Sequence, residues 1–265
     1  MLTVAVPGRV VRTAARLLGM AALAVLTVGV VRFAAVPAAL TGPGAAGPVP
    51  PPPAAASLDQ PLRAVATTQH DIALTFDISW GTVMPPKVVA ILEHDKVPAT
   101  FFLSGPWVAA HADFVRAMAK VPYFQIESHG QAHVNFSGLG QAGVIANIEK
   151  ANAAILAATG KRPTMIRPPN GDYSKASVAA TASLGMRTVI WDTDSLDWMN
   201  PGVATIVRRV VGRAHPGDIV LMHASDTCKQ TDIALPTILS DLKAKGYRFV
   251  TLNTLLASGR PLPHT

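Results

Sequence analysis

The sequence predicts an α/β fold, built as a distorted or incomplete (β/α)7 barrel with parallel strands. Three observations point there. From about Asp71 to Leu256, apolar runs alternate with helix-like segments. Seven such steps come near to closing a barrel, and the chain has no Gly-rich nucleotide loop to argue for a doubly wound sheet. The chemistry-bearing side chains also close strand-like runs: Asp77 in ALTFDISWG, His129 and His133 in ESHGQAH, Arg167 in MIRPPNG, Asp194 and Asp197 in VIWDTDSLDW, and His223 in DIVLMHAS. A β/α barrel gathers such strand ends on one face.

Residues 1–36 read as an export element. Arg9, Arg12 and Arg16 precede Leu17–Val31, a run of aliphatic and small residues with one Thr and two Gly, which is an n-region followed by an h-region. The run is short for a membrane span, which takes about 20 apolar residues, although Arg32 can snorkel and Phe33–Leu40 can extend it. A cleaved signal peptide and an uncleaved signal-anchor helix both stay open. Either puts the remainder outside the cytoplasm, membrane-anchored or secreted to the cell envelope. Residues 37–70 are expected to be a linker. Their first part, PAALTGPGAAGPVPPPPAAAS, is dominated by Pro, Ala and Gly and carries no charge. At roughly 3 Å per residue such a segment reaches on the order of 60 Å, enough to hold a domain well away from a membrane.

The domain proper is expected over residues 71–256, with 257–265 as a tail. Candidate strands are Ile72–Asp77, Ala99–Leu103, Phe124–Glu127, Met165–Arg167, Thr188–Trp191, Asp218–His223 and Phe249–Leu252. Candidate helices are Pro86–His94, Ala109–Ala119, Leu139–Ala158, Lys175–Leu184, Val203–Ala214 and Ile233–Lys245, several punctuated by Pro at the start or Gly at the end. In the first strand Ile72, Leu74 and Phe76 share one face, and Ala73, Thr75 and Asp77 share the other. The bulky face should pack under helices. The small face should line the barrel and bring Asp77 out at its mouth, where an otherwise costly buried carboxylate needs a counter-charge. Arg167 is the candidate for that charge.

Of 23 basic residues, Arg9, Arg12, Arg16 and Arg32 lie before residue 59 with no acidic residue among them, so the net charge of +7 belongs largely to the amino-terminal segment. The remainder of the chain is only slightly basic, and nucleic acid is not an expected partner. A single cysteine, Cys228, excludes an internal disulfide and any multi-Cys zinc site. It also lacks an identifiable base, which argues against nucleophilic catalysis.

His129 and His133 stand four apart, a spacing that on a helical turn sets two imidazoles within reach of one metal ion. Such a pair also occurs as ordinary polar loop residues. Asp77 and His223 on neighbouring strand ends favour the metal. Trp80 and Trp198 adjoin Asp77 and Asp197 closely enough for their flat rings to stack on a ligand, or equally to pack the barrel mouth. Trp107, Trp191, Phe101 and Phe102 read as core. Ser79 reads as a cap for the next turn.

The ordered motifs TFD, H-x-x-x-H, R-P-P-x-G, D-x-D-x-x-D-W and L-x-H over roughly Asp71 to Leu256 resemble the polysaccharide deacetylases, the NodB-homology or carbohydrate esterase family 4 domain. The ALTFDISWG form looks most like the sporulation-type deacetylase-like branch. The resemblance implies a distorted barrel and metal-dependent removal of N-acetyl groups from amino-sugar polymers. Carried over by position, Asp77 is the general base, Arg167 pairs with and orients it, and His129 and His133 hold a divalent metal, with zinc expected. His223 is the general acid, oriented by Asp194 or Asp197, a choice the sequence leaves open. Substrate contacts fall to Trp80, Trp198, Asn170 and Tyr173, with a backbone N–H of the Asn170–Tyr173 turn facing the oxyanion.

One departure matters. Metal-binding relatives usually carry a second Asp directly after the first, and here that position is Ile78. The third ligand then falls to Asp77 itself or to water, or the metal is lost, and affinity should drop because catalytic zinc sites normally have three protein ligands. Asn170 stands where an aromatic residue is common. The leading expectation is an exported, monomeric N-deacetylase acting on an N-acetylated glycan such as peptidoglycan or a chitin-like oligomer. An O-acetyl esterase would use the same machinery. The competing class is a membrane-tethered glycan-binding protein on a degenerate deacetylase fold.

Overall fold

In the computed structural model, which describes residues 57–264, the architecture is organised around one long strand. The chain runs β1 (Leu62–Ala66), β2 (Asp71–Ile78), α1 (Met84–His94), β3 (Ala99–Leu103), α2 (Gly105–Ala110), α3 (Ala112–Met118), β4 (Phe124–Ser128), α4 (Gln141–Thr159) and β5 (Met165–Ile166). It continues through α5 (Lys175–Ser183), β6 (Arg187–Thr188), β7 (Thr193–Asp194), α6 (Val203–Arg213), β8 (Ile219–His223), α7 (Thr231–Ala244), β9 (Arg248–Phe249), α8 (Leu252–Ala257) and β10 (Arg260–Pro263). The main sheet has the order β6-β5-β4-β3-β2-β8-β7, with β9 pairing the start of β2. Every pair in it is parallel. The wall is therefore an incomplete α/β barrel, open between β6 and β7.

Both faces of β2 are buried, as a parallel strand under helices requires. Ile72, Leu74, Phe76 and Ile78 join Val88, Leu92, Phe101 and Leu235 in the layer between sheet and helices. Ala73 joins Phe102, Met165, Val189 and Ile219 on the other side, inside the barrel. The same alternation runs along β8, where Val220 and Met222 face the helices and Ile219 faces inward. The parity read from the sequence holds, and it delivers Asp77 and His223 to the inner face.

Residues 62–66 and 260–263, assigned from sequence to the linker and the tail, form a separate antiparallel ribbon with Leu62 opposite Pro263 and Ala66 opposite Arg260. Ile190 N–H donates to the Leu62 carbonyl (2.7 Å) and Val65 N–H to the Gly217 carbonyl (2.8 Å), which lays the ribbon across the open edge. Leu62 and Val65, with Leu252 and Leu255 of α8, fill the barrel interior. Full burial of one such side chain contributes roughly 1.5–3 kcal/mol.

Element boundaries differ from expectation at several places: the strand expected over 249–252 ends at Phe249, and Leu252 instead opens α8, whose first turn Thr251 caps by accepting from Thr254 N–H. The helix expected over 109–119 is two helices broken at His111, whose ring nitrogen bonds the Trp107 carbonyl (2.8 Å) and whose ring stacks on Trp107. The strand expected over 188–191 ends at Thr188: Val189 N–H still donates to the Ile166 carbonyl (2.8 Å) and Val189 bridges to Leu62, after which Ile190–Asp192 cross the gap towards β7. The N-terminal hydrophobic helix expected in residues 1–36 and the first part of the linker lie outside the described residues. Among the described residues, no helix is long and apolar enough to cross a membrane.

Candidate active site

Asp77 and His223 are register partners on the adjacent strands β2 and β8, so their side chains leave the sheet together at its C-terminal end. Both line a cavity of about 470 Å³ with His129, His133, Asn170, Asp194, Trp80 and Trp198. Behind Asp77 lies Arg167, which is fully buried. Its Nη1 donates to Asp77 Oδ1 (2.9 Å) and its Nη2 to the Ile190 carbonyl (3.2 Å), and its guanidinium lies 4.3 Å from the centre of the Phe102 ring. Burial alone would push the Asp77 carboxyl up, but the charge of Arg167 first, with those of His129 and His223 in the acid range where the carboxyl titrates, outweighs it and holds the group below its ordinary range. Asp77 is thus ionised at neutral pH, as a base must be.

A loop, not the expected helical turn, brings the two histidines together. Asn147 on α4 holds it, accepting from Gln131 N–H (2.7 Å) and donating to the Ala132 carbonyl (3.3 Å). Gly130 is required at φ +78°, because a Cβ there would meet the Asn147 side-chain oxygen. His129 Nδ1 bonds the Arg167 carbonyl (2.8 Å). A carbonyl only accepts, so Nδ1 carries the proton and the Nε2 lone pair faces the cavity, 3.7 Å from Asp77 Oδ2. The His133 ring lies 5.4 Å from that of His129 and 5.3 Å from that of Trp80, centre to centre. Burial pushes His129 down to about 4 and His133 down as well. Both are neutral at pH 7, the state that ligates metals, and the His129–Asp77 contact is not an ion pair there.

The choice between the two aspartates of DTDSLDW is resolved by geometry. Asp197 is fully buried and accepts from His223 Nδ1 (2.7 Å), His223 N–H (2.8 Å) and Thr231 Oγ1 (2.8 Å). Burial would lower the His223 pKa, but Asp197 first, then Asp77 and Asp194, raise it above the usual imidazole value. The protonated form is therefore favoured more than in a free imidazole. Asp194 lies nearby on the cavity wall, accepts from Leu196 N–H (2.8 Å), and is pushed up chiefly by burial. Between the two aspartates Leu196 adopts φ +55°, a costly conformation for a branched residue.

The expected substrate contacts divide. Trp80 and Trp198 are exposed at the rim, and Trp80 Nε1 is tied to Thr227 Oγ1 (3.1 Å). Asn170 lines the cavity at φ +61°, a backbone state in which Asn is tolerated better than an aromatic residue, and its amide pairs with Asn135 (2.7 Å). Tyr173 is not among the cavity residues; its hydroxyl is bound by His264 Nδ1 (2.6 Å), beyond the ribbon. Trp191, read as core, is only half-buried and lines the cavity. Ser79 does not cap the next helix. Asp226, from the loop after β8, does so by accepting from Thr82, Val83 and Met84 N–H (2.7–3.0 Å). No local motif signals this cap, because 142 to 144 residues separate its partners.

Residues 64–189 match the polysaccharide deacetylase family. A peptidoglycan-N-acetylglucosamine deacetylase of Bacillus cereus is 35% identical, over 72% of this chain and 91% of its own. The chain belongs to the polysaccharide deacetylase family. The uncharacterised protein YlxY of Bacillus subtilis is 30% identical over 72% of this chain, which spans only 59% of YlxY. Among solved structures, a carbohydrate esterase family 4 pseudoenzyme from Bacillus anthracis superposes with a TM-score of 0.70 at 30% identity, covering 76% of this chain and 70% of that one. A mutant of that pseudoenzyme with restored enzymatic activity is equally similar in fold, with a TM-score of 0.70.

Polysaccharide deacetylases of this family are metal-dependent, and the donors around Asp77 suit a divalent ion in chemistry and incompletely in number. His129 Nε2 and Asp77 Oδ2, at 3.7 Å, are spaced as two ligands of one ion would be. His133 adds a second neutral imidazole. A further carboxylate is missing: Ile78 is fully buried in the helix-facing core, with no side chain in the cavity. Asp197, His223 and Cys228 also bring ligand-type atoms within 4.8 Å of one another. That cluster is a poor cage, because Asp197 already accepts three hydrogen bonds and burial pushes the Cys228 thiol up to about 12.

Proposed function

We propose that this chain is an exported N-deacetylase of amino-sugar polymers, acting on peptidoglycan or a chitin-like oligosaccharide. The observation that carries the reading is the register pairing of Asp77 with His223, each backed by a buried partner of opposite charge. Simple sugar binding has no need of a base with its counter-charge and an acid with its own. Asp77, held ionised by Arg167, takes the proton from a water that attacks the acetamide carbon. His223, held protonated by Asp197, gives its proton to the nitrogen as the C–N bond breaks, leaving acetate and a free amine. A divalent metal held by His129 and His133, with Asp77 Oδ2 adjacent, would polarise the carbonyl and acidify the water.

Trp80 and Trp198 offer flat faces to pyranose rings at the rim. Export rests on the N-terminal arginines, apolar run and Pro-rich linker, which also make the membrane a partner; the domain is taken to act as a monomer. The chain's similarity to a Bacillus cereus peptidoglycan deacetylase supports the substrate class.

A second reading has its own support. Ile78 removes a ligand carboxylate, and the chain is similar to a pseudoenzyme. On that reading the cavity binds glycan without turnover. Acetate release from an N-acetylglucosamine oligomer in heavy-oxygen water separates the two. The deacetylase reading expects acetate carrying one heavy oxygen. An oligomer that binds without acetate release favours the second.

A further inference from the structure

We propose that Arg63 is a positioning residue for the active site: it staples the terminal ribbon to residues 190–192, and that segment holds Arg167 and Trp191. The proposal rests on the roles given above to Asp77 and Arg167. Residues 189–192 join β6 directly to β7 across the open side of the barrel, where the main sheet offers no neighbouring strand on one side. An edge without a ladder needs another support. The ribbon supplies it. Ile190 N–H donates to the Leu62 carbonyl (2.7 Å), Arg63 Nη1 reaches Asp192 Oδ2 (2.6 Å), and Arg63 Nε donates to the Pro263 carbonyl (3.2 Å). One side chain therefore ties β1, β10 and the crossing segment together.

The segment in turn touches the chemistry. The Ile190 carbonyl accepts from Arg167 Nη2 (3.2 Å), and Arg167 Nη1 holds Asp77 (2.9 Å). The next residue, Trp191, lines the cavity, with the Arg167 guanidinium 5.6 Å from its ring centre. An unbroken path of hydrogen bonds runs from the Leu62 carbonyl through Ile190 and Arg167 to Asp77. Arg63, Asp192 and Pro263 all lie outside the residues that match the family. The Arg63 side chain is 35% exposed and that of Asp192 29%. The pair is partly buried and at the domain's edge, where solvent still screens it, so its effect should be mainly on geometry.

Two NMR signals of the full chain test this: exchange of the Arg167 guanidinium N–H with solvent, and the Trp191 indole N–H shift. Arg63→Gln should speed Arg167 exchange about ten-fold, as local opening does when one support is lost, and should move the Trp191 signal while the melting temperature barely changes. Arg63→Lys, which keeps the charge facing Asp192 and loses the bond to Pro263, should fall between. Asp192→Asn, which also weakens the contact of Asp192 Oδ2 with His215 Nε2 (3.0 Å), should repeat the effect at least as strongly and carries the test if Arg63→Gln does not fold. Unchanged Arg167 exchange and Trp191 shift in the folded variants would overturn the proposal. Neither signal needs turnover, so an inactive wild type would count against the deacetylase reading alone.

Discussion

Asp77 and Ile78 are neighbours in the chain and face opposite sides of β2: Asp77 lines the cavity, and Ile78 is fully buried among helix-facing apolar residues. Ile78→Asp therefore puts a carboxylate into the core and should cost about 2–4 kcal/mol without metal. Ile78 is the last residue of β2, so a rotation of the strand end that brings the carboxylate into the cavity completes an Asp-His-His set, and zinc should recover much of the loss. Thermal unfolding of wild type and variant, with and without zinc, checks this. Equal zinc stabilisation of both would contradict it.

Arg167 is the buried counter-charge of Asp77. Arg167→Met leaves that largely buried carboxylate without its counter-charge, at a cost of about 3–5 kcal/mol. The sign with pH follows from burial. Without Arg167 the folded-state pKa of Asp77 rises above its unfolded value, so the penalty should grow as pH rises above about 4. Denaturant unfolding at pH 4 and pH 8 measures it, and equal losses at the two values would be the contrary result.

His223 is held above its ordinary pKa despite burial, chiefly by Asp197, while Asp77 is held below its own. Activity should therefore decline as pH rises through the His223 value, which lies above 6.5, and on the acid side as His129 takes a proton near 4. The stability that His223 gains from Asp197 is full below the unfolded pKa and fades as pH rises through the folded one. Asp197→Asn should move the alkaline limb to lower pH and cut turnover by about 10²–10⁴-fold. A pH–rate profile of wild type and variant tests both statements.

Gly171 has φ +64°, and a Cβ on it would stand 2.6 Å from the Trp191 ring. Gly171→Ala should shift that ring within the cavity and raise KM more than it lowers kcat. A fall in kcat alone, with KM unchanged, would place the strain at the reacting groups instead.

The sequence carried the parts of this site that depend on local pattern. Two-residue alternation along β2 placed Asp77 inward, and strand ends marked Arg167 and His223. What it could not carry depends on distant pairing. Leu62–Ala66 and Arg260–Pro263 are too short and too rich in flanking proline to read as strands, and they define each other only by meeting across almost 200 residues. The helix cap from Asp226 and the removal of Tyr173 by His264 are likewise long-range contacts. Asp194 and Asp197 have the same chemistry in sequence. They separate only because the three donors from β8 and α7 converge on Asp197.

Asp77 and His223 are proposed to form one acid–base pair for acetamide hydrolysis. Acetate release from N-acetylglucosamine tetramers by the zinc-loaded wild type, Asp77→Asn and His223→Ala measures it most directly. Turnover by the wild type, with losses of about 10²-fold or more in each variant and oligomer binding retained in both, is the predicted result. A wild type that binds the oligomer yet releases no acetate, or variants as active as the wild type, would contradict it.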